Sequence, residues 1–552
     1  MRRYVFVAIV LRLVVALSTR TFFQPDEYFQ SLEVAHHLVF GYGHLTWEWR
    51  ARLPIRSVIY PAFNVPVYWL AKIAKLDQTA FLISGPKILH GILGACTDIW
   101  IAELTRKVLG ERYVSTAIFV SLTSFFHALS LTRSISNSLE TSLTTIALSY
   151  FPWDAHKPFD RAPIRMSFAF AALACAVRST NAVLWVYMLA VLALRLRNDV
   201  RHLGVVLLDL VVIGTASLFT IVVLDSAYYN KLTFTPLNFL MTNLSSVSSF
   251  YGSSPWHYYL SQGLPLLCTT TLPFVLHGAW LVLGPSGTSS SRIMLGLVAW
   301  TMTIYSLAGH KEWRFLHPLL PLLQILASKS LVDTYHSSVQ PHRASRKSLP
   351  VRIDHLCLLL ATLPAIVYVI FFHGEPQINV MHYLRSSPAN ELRSVGFLMP
   401  CHSTPWQAYL HKPELADPGR MWALGCEPPL SPEMLIQRVV YSGQPVLNYL
   451  DQTDIFYLSP IQYLRERFPP EVNQSFPPSP FPTSIPGVTR LDEKSWRHEW
   501  PKHLVMFGAL LEDQDVKALL LDKGYKEAWA RDRGWEGDAR RRGGVRVWKN
   551  TA

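Results

Sequence analysis

The sequence predicts a polytopic α-helical membrane protein with a soluble α+β appendage at its C-terminal end. Half of the 552 residues are hydrophobic, only 16% are charged, and the mean hydropathy is +0.20. An ordinary soluble enzyme of this size is less apolar. The apolar residues are bunched into long runs, and a run of roughly 20 is a bilayer-spanning helix. After Phe372 the character changes: residues 374–552 are rich in Pro, charge and aromatics, and hold no run long enough to span. These observations divide the chain into a multi-span region, 1–373, and a soluble region, 374–552.

The first run reaches Ser18 behind Arg2 and Arg3 and meets a charged aromatic loop rather than a small-residue cleavage site. It therefore reads as an uncleaved first span with its basic end in the cytoplasm, and the loop 20–60 lies on the opposite side. Further runs lie near 60–76, 84–103, 113–131, 141–153, 164–177, 179–196, 203–224, 263–283, 293–309, 315–328 and 354–373. Several fall short of a full crossing, which brings the expectation to about eight to twelve spans. In the appendage, Ile436–Tyr441, Ile455–Leu458 and Leu504–Phe507 read as short apolar or alternating stretches and 512–526 as helical, a small α+β unit.

The net charge of +13 would suit nucleic acid, but its distribution does not. From Leu232 to Ser291 there is no Asp, Glu, Lys or Arg, while cations gather at the ends of apolar runs, where anionic membrane lipids are the partner. The six Cys are widely scattered without metal-ligand spacing, and only Cys401 and Cys426 suit a disulfide. Asn243 and Asn473 begin N-x-S glycosylation sequons.

The chemistry-bearing residues are those that interrupt the apolar pattern. In the first loop, Asp26 and Glu27 follow Pro25 at the start of a helical stretch, whose spacing places Gln30 and Glu33 near the same face as Asp26. Two readings stand: acids stabilising a helix end, or a general base at the mouth of a membrane cavity. The second group, His310, Lys311, Glu312, Trp313, Arg314 and Phe315, is wedged between two apolar runs. It is either a basic turn or a site in which Lys311 and Arg314 meet a phosphate, with Glu312 orienting the pair. Arg133 with Ser134, Asn137 and Glu140 forms a third group at helical spacing, and Arg178 beside Ser179 a fourth. Isolated charges of this kind pair within a bundle or contact substrate.

No glycine-rich phosphate loop, HExxH or nucleophile elbow is present. The single Asp-x-Asp, Asp513-Gln514-Asp515, sits in the helical stretch of the appendage and reads as a solvated face. Nucleotide-sugar and ATP-driven chemistry are therefore disfavoured.

The loop Phe23-Gln-Pro-Asp-Glu-Tyr-Phe-Gln30, the cluster His310-Lys-Glu-Trp-Arg-Phe315 and the multi-span layout resemble the dolichol-phosphate-mannose-dependent mannosyltransferases of the endoplasmic reticulum, glycosyltransferase family 22. In the appendage, Val395-Gly-Phe-Leu-Met-Pro-Cys-His-Ser-Thr-Pro405 and Trp500-Pro-Lys-His-Leu-Val-Met-Phe-Gly508 resemble the branch that places the third, α-1,2-linked mannose on the glycosylphosphatidylinositol (GPI) precursor.

The resemblance implies a GT-C type glycosyltransferase fold and a multi-pass location in the endoplasmic reticulum membrane with a lumen-facing site and luminal appendage. It implies an inverting reaction without metal or cofactor, with dolichyl phosphate mannose as donor and the lipid-linked GPI mannoside as acceptor. Carried over by position, Asp26 is the base and Glu27 its support, while His310, Lys311, Glu312 and Arg314 fill the second motif, with Trp313 at its variable place. Gln30, Arg133 and Arg178 remain candidates for substrate contact on their own chemistry. The competing expectations are a mannosyltransferase acting on the N-glycan precursor and, in a different class, a transporter of lipid or sugar. A transporter predicts related hydropathy in two halves, which this sequence lacks.

Overall fold

In a computed structural model, residues 2–154, 158–244, 250, 252–338, 349–428, 439–441, 444–446, 450–480, 497–533 and 537–551 are described. Among them, six helices are long and apolar enough to cross a membrane: Phe81–Val108, Ser179–Leu196, Val200–Tyr229, Tyr259–Leu283, Trp313–Ser338 and Ile353–Ser386, with the shorter Tyr4–Ser18 beside them. The expected eight to twelve spans already allowed some of the apolar runs to merge or fall short. The run at 60–76 folds as Ile59–Ala62 and Val65–Ile73, each too short to cross.

Burial separates central from peripheral helices. In Val200–Tyr229 only 17% of the most apolar window is buried, against 94% in Trp313–Ser338, although the first is far more hydropathic. Lipid-facing helices must be apolar all round, whereas central ones carry polar groups that face one another. Ser136–Tyr150, rich in Ser and Thr, is buried almost throughout, and Thr141 and Thr145 each donate 2.7 Å hydrogen bonds to the carbonyl four residues back. A buried charge needs a partner here: Arg12 donates to Asp98 at 2.7 and 2.9 Å, both side chains being fully enclosed. The helices Tyr259–Leu283 and Trp313–Ser338 approach so closely at Gly278 that a Cβ would lie 2.0 Å from the Leu326 carbonyl oxygen.

The chain leaves the bundle through Glu375–Ser386 and enters a five-stranded mixed sheet. Its strands are β1 (Val395–Leu398), β2 (Met421–Ala423), β5 (His503–Phe507), β6 (Tyr525–Arg531) and β7 (Val545–Asn550), in the order β2-β1-β5-β7-β6. β1 is parallel to β2 and β5, and β7 runs antiparallel between β5 and β6. A separate hairpin pairs β3 (Val439–Tyr441) with β4 (Gln444–Val446), and residues 436–438 of the stretch expected there lie outside the described residues. The stretch 455–458 is helical rather than extended, because Asp451 caps Gln452–Leu458 by accepting from the Asp454 amide at 2.7 Å. Asp513 likewise caps Gln514–Asp522, accepting from the amides of Asp515 and Val516.

The sheet does not stand apart from the bundle. Phe22, Tyr28, Phe29 and Leu32 of the first loop share one hydrophobic core with Ile378, Met381, Phe397, Trp406 and Val505. A Phe, Ile or Met removed from water in such a core contributes about 1.5–3 kcal/mol. The first loop and the appendage therefore hold each other in place, and that junction positions the charged residues.

Candidate active site

The helix beginning at Asp26 is irregular. After Pro25 a single turn leads into a π-type segment, Tyr28–Leu32, and only then into the α-helix Glu33–Phe40. A π turn is wider than an α turn and rotates the residues beyond it, so Gln30 and Glu33 do not share the face of Asp26 as regular spacing predicts. Gln30 donates to Glu48 at 3.0 Å, while Glu33 turns toward the appendage.

Asp26 meets the second motif across 288 positions of sequence. Arg314 donates from Nη1 to Asp26 Oδ2 at 2.6 Å, and grips Glu312 through Nε at 2.6 Å and Nη2 at 2.9 Å. One guanidinium thus bridges two carboxylates. Its side chain is 9% exposed, against 21% for Asp26 and 27% for Glu312, so the acids face the opening and the cation lies behind them. Burial alone would raise the Glu312 carboxyl, but Arg314 and His310 hold it well below the usual carboxylate range. His310 Nε2 lies 3.3 Å from Glu312, a hydrogen bond that raises the imidazole pKa above its ordinary value against burial. Lys311 donates to the Ser254 carbonyl at 2.7 Å, and Asn137 donates to that of Arg314 at 3.2 Å.

Glu27 is buried beside Asp26 and pairs with Arg133 at 3.1 Å; Arg133 also donates to the Thr21 carbonyl and hydroxyl. The expected grouping of Arg133 with Glu140 does not form. Ile135 is extended, with φ −114° and ψ 133°, and breaks the helical register between the two. Glu140 pairs instead with Arg178 at 3.0 Å, and Arg178 and Arg314 both lie over the Phe315 ring, 5.3 and 6.0 Å from its centroid. Arg56, held by Glu48 at 2.6 and 3.0 Å, lies within the electrostatic reach of Asp26 and Arg314.

The appendage closes over this arrangement through Glu33. Its carboxylate accepts from the amides of His44 at 2.8 Å, Gln407 at 3.2 Å and Ala408 at 2.8 Å, while burial pushes its pKa up to about 7 against those three donors. Glu33→Ala orphans three buried amides at about 1–3 kcal/mol each. The expected result is a lower thermal midpoint in detergent and faster proteolysis near 407, with a smaller effect from Glu33→Gln.

The profile of the Alg9-like mannosyltransferase family matches residues 4–411. The chain belongs to the Alg9-like mannosyltransferase family. Similar relatives are the "GPI mannosyltransferase 3" of Aspergillus fumigatus, 33% identical over 98% of this chain and 76% of its own length, and that of Yarrowia lipolytica, 33% identical over 89% of both. The human "GPI alpha-1,2-mannosyltransferase 3" is 31% identical over 94% of this chain and 81% of its own. Among solved structures, ArnT from Cupriavidus metallidurans bound to undecaprenyl phosphate aligns with a TM-score of 0.55 at 12% identity, over 100% of this chain and 97% of that one. That likeness bears out the GT-C type fold.

In this Alg9-like mannosyltransferase the family match runs past the last membrane helix into the appendage and takes in β1 and the disulfide-bearing turn. Cys401 and Cys426 are bonded, with Cα atoms 5.9 Å apart. Among the described residues, the group of ligand-type side chains close enough to share an ion is Cys401, His402 and Cys426, and the bond between the two sulfurs removes the thiolates. Asn473 is exposed in a turn, its side chain accepting from Ser475; Asn243 is exposed on a helix, and Ser245 of its sequon lies outside the described residues. Sequence reasoning passed over Arg56, Glu48 and His402. Arg56 and Glu48 stood in the polar loop 20–60, where nothing but a folded neighbour distinguishes them from solvated charges.

Proposed function

We propose that this Alg9-like mannosyltransferase transfers a mannose, α-1,2-linked and third in order, from dolichyl phosphate mannose to the lipid-linked GPI precursor at the luminal face of the endoplasmic reticulum membrane. The observation that carries the reading is the accessible Asp26 carboxylate seated 2.6 Å from Arg314, in a family of mannosyltransferases and with relatives named for the GPI reaction over most of their length. The donor follows from the two motifs.

Asp26 takes the proton of the acceptor hydroxyl as that oxygen attacks C1 of the β-linked donor. The bond from C1 to the phosphate oxygen breaks, its electrons leave with dolichyl phosphate, and the new linkage is α. Arg314 aims Asp26 through their 2.6 Å contact. One N–H on each of its terminal nitrogens is not spent on a carboxylate, and these, with Lys311, supply positive charge for the departing phosphate. Arg133 and Arg178 act through their partners, the first by fixing Glu27 beside Asp26, the second by sharing Phe315 with Arg314. Gln30 steadies Glu48 and so the neighbouring Arg56.

The test is incubation of the purified chain with dolichyl phosphate mannose and either a two-mannose GPI precursor or the N-glycan precursor. Mannose transfer to the GPI precursor alone is expected; product on the N-glycan precursor alone overturns the assignment.

A further inference from the structure

The turn Pro400–Thr404 leaves β1 and is fastened to the residues after β2 by the disulfide Cys401–Cys426. Within it His402 adopts φ +55°, the left-handed region that a residue with a Cβ enters at a cost of about 1–3 kcal/mol. Such a conformation persists where its surroundings over-determine it, and the residue so held is often functional. The surroundings are plain: the neighbouring residue is cross-linked, the Phe29 ring packs on the imidazole at a centroid separation of 4.4 Å, and Nδ1 lies 3.6 Å from Cys426 Sγ. Phe29 is three residues from Asp26, and the His402 ring feels the Asp26 carboxylate directly. Burial nonetheless pushes its pKa down to about 4, so at neutral pH the imidazole is uncharged.

His402 lies at a cleft between appendage and first loop, lined also by Phe29, His44, Ser403, Trp406 and Glu427. The enclosed space, about 20 Å³, admits a water and not a sugar ring, so a larger ligand meets His402 at the mouth. A neutral imidazole between aromatic faces suits hydroxyls and sugar C–H groups, whereas the donor's phosphate is drawn to the cations at Lys311 and Arg314.

We propose that His402 is a substrate-contacting residue, its imidazole hydrogen-bonding a hydroxyl of the acceptor hexose on the appendage side of Asp26. The inference rests on the acceptor being a mannoside, as the proposed function has it. The disulfide and the strained backbone then serve one purpose, to hold that ring in place before the acceptor arrives.

The experiment measures transfer by the purified full-length protein while each substrate is varied in turn, for wild type, His402→Ala and His402→Gln. His402→Ala is expected to raise the KM for the GPI precursor about 10-fold, the worth of one hydrogen bond, with the KM for dolichyl phosphate mannose changed less than about 2-fold. His402→Gln, which keeps a donor and an acceptor, is expected to recover most of the loss. Resistance of Cys401 and Cys426 to thiol labelling reports that the turn is intact, and the Gln variant is read if the Ala variant fails that check. Equal changes in both KM values, no change, or no rescue by Gln overturns the inference. Absence of transfer to the GPI precursor by the wild type overturns the proposed function instead.

Discussion

Asp26→Asn lowers mannose transfer by about 10²–10⁴-fold, the usual contribution of a positioned general base, with the fold intact. The substitution is close to isosteric, and the amide oxygen still accepts the hydrogen bond that Arg314 now gives Oδ2 at 2.6 Å. What disappears is the capacity to take a proton from the acceptor hydroxyl. Single-turnover transfer with both substrates saturating reads the chemical step, and the thermal midpoint in detergent reads the fold. Near-normal transfer with an unchanged midpoint would remove Asp26 from the role of base. A matching loss in both would make it a structural partner of Arg314 and nothing more.

Arg314→Gln is expected to cost stability as well as activity. The guanidinium pairs with Asp26 and Glu312 together, and without it both carboxylates lose their shared cation in a half-closed site. Breaking a buried pair by removing one member costs about 3–5 kcal/mol, and the partial exposure of the two acids places the loss at the lower end. The double variant Arg314→Gln/Glu312→Gln removes one of the two orphaned charges and is expected to regain part of the midpoint while staying inactive. That non-additivity, measured as a double-mutant cycle, separates electrostatic relief from catalysis. Arg314→Lys keeps a charge but cannot hold one carboxylate through two nitrogens while reaching the other, so it falls between. The acid limb follows from Glu312, whose carboxyl is held low in the folded state. The stability it contributes is present above the ordinary carboxylate range and is lost as pH falls toward the folded value. Replacing Arg314 removes that contribution and shifts acid unfolding to higher pH.

Both halves of the site were legible in the sequence, because Asp26 and the His310–Arg314 run are charge where the surroundings are apolar. Their contact was not, since nothing local records that residues 288 positions apart share a hydrogen bond. Regular helical spacing misled twice for physical reasons: the π segment at Tyr28–Leu32 sends Glu33 to the appendage, and the extended Ile135 sends Arg133 to Glu27 rather than Glu140. Hydropathy measures contact with lipid, so it marks Val200–Tyr229 strongly and Trp313–Ser338 weakly, although the second is by far the more enclosed. His402 stood in a segment read for its resemblance to one branch of the family, but a turn held by a cross-link and a backbone strain has no periodic signature to read.

The contact of Glu33 with the Gln407 amide spans 374 residues, and it sets a clock. Asp26 is made well before the segment that covers it, and the 374 residues between Glu33 and Gln407 are, at ordinary synthesis rates, a delay on the order of tens of seconds. Until Arg314 is made, a growing chain carries Asp26 without that cation, and the turn bearing His402 follows later still. Completion also awaits the Cys401–Cys426 bond, which forms only where the environment is oxidising. Assembly of the site is thereby tied to delivery of the disulfide-bearing appendage into an oxidising compartment.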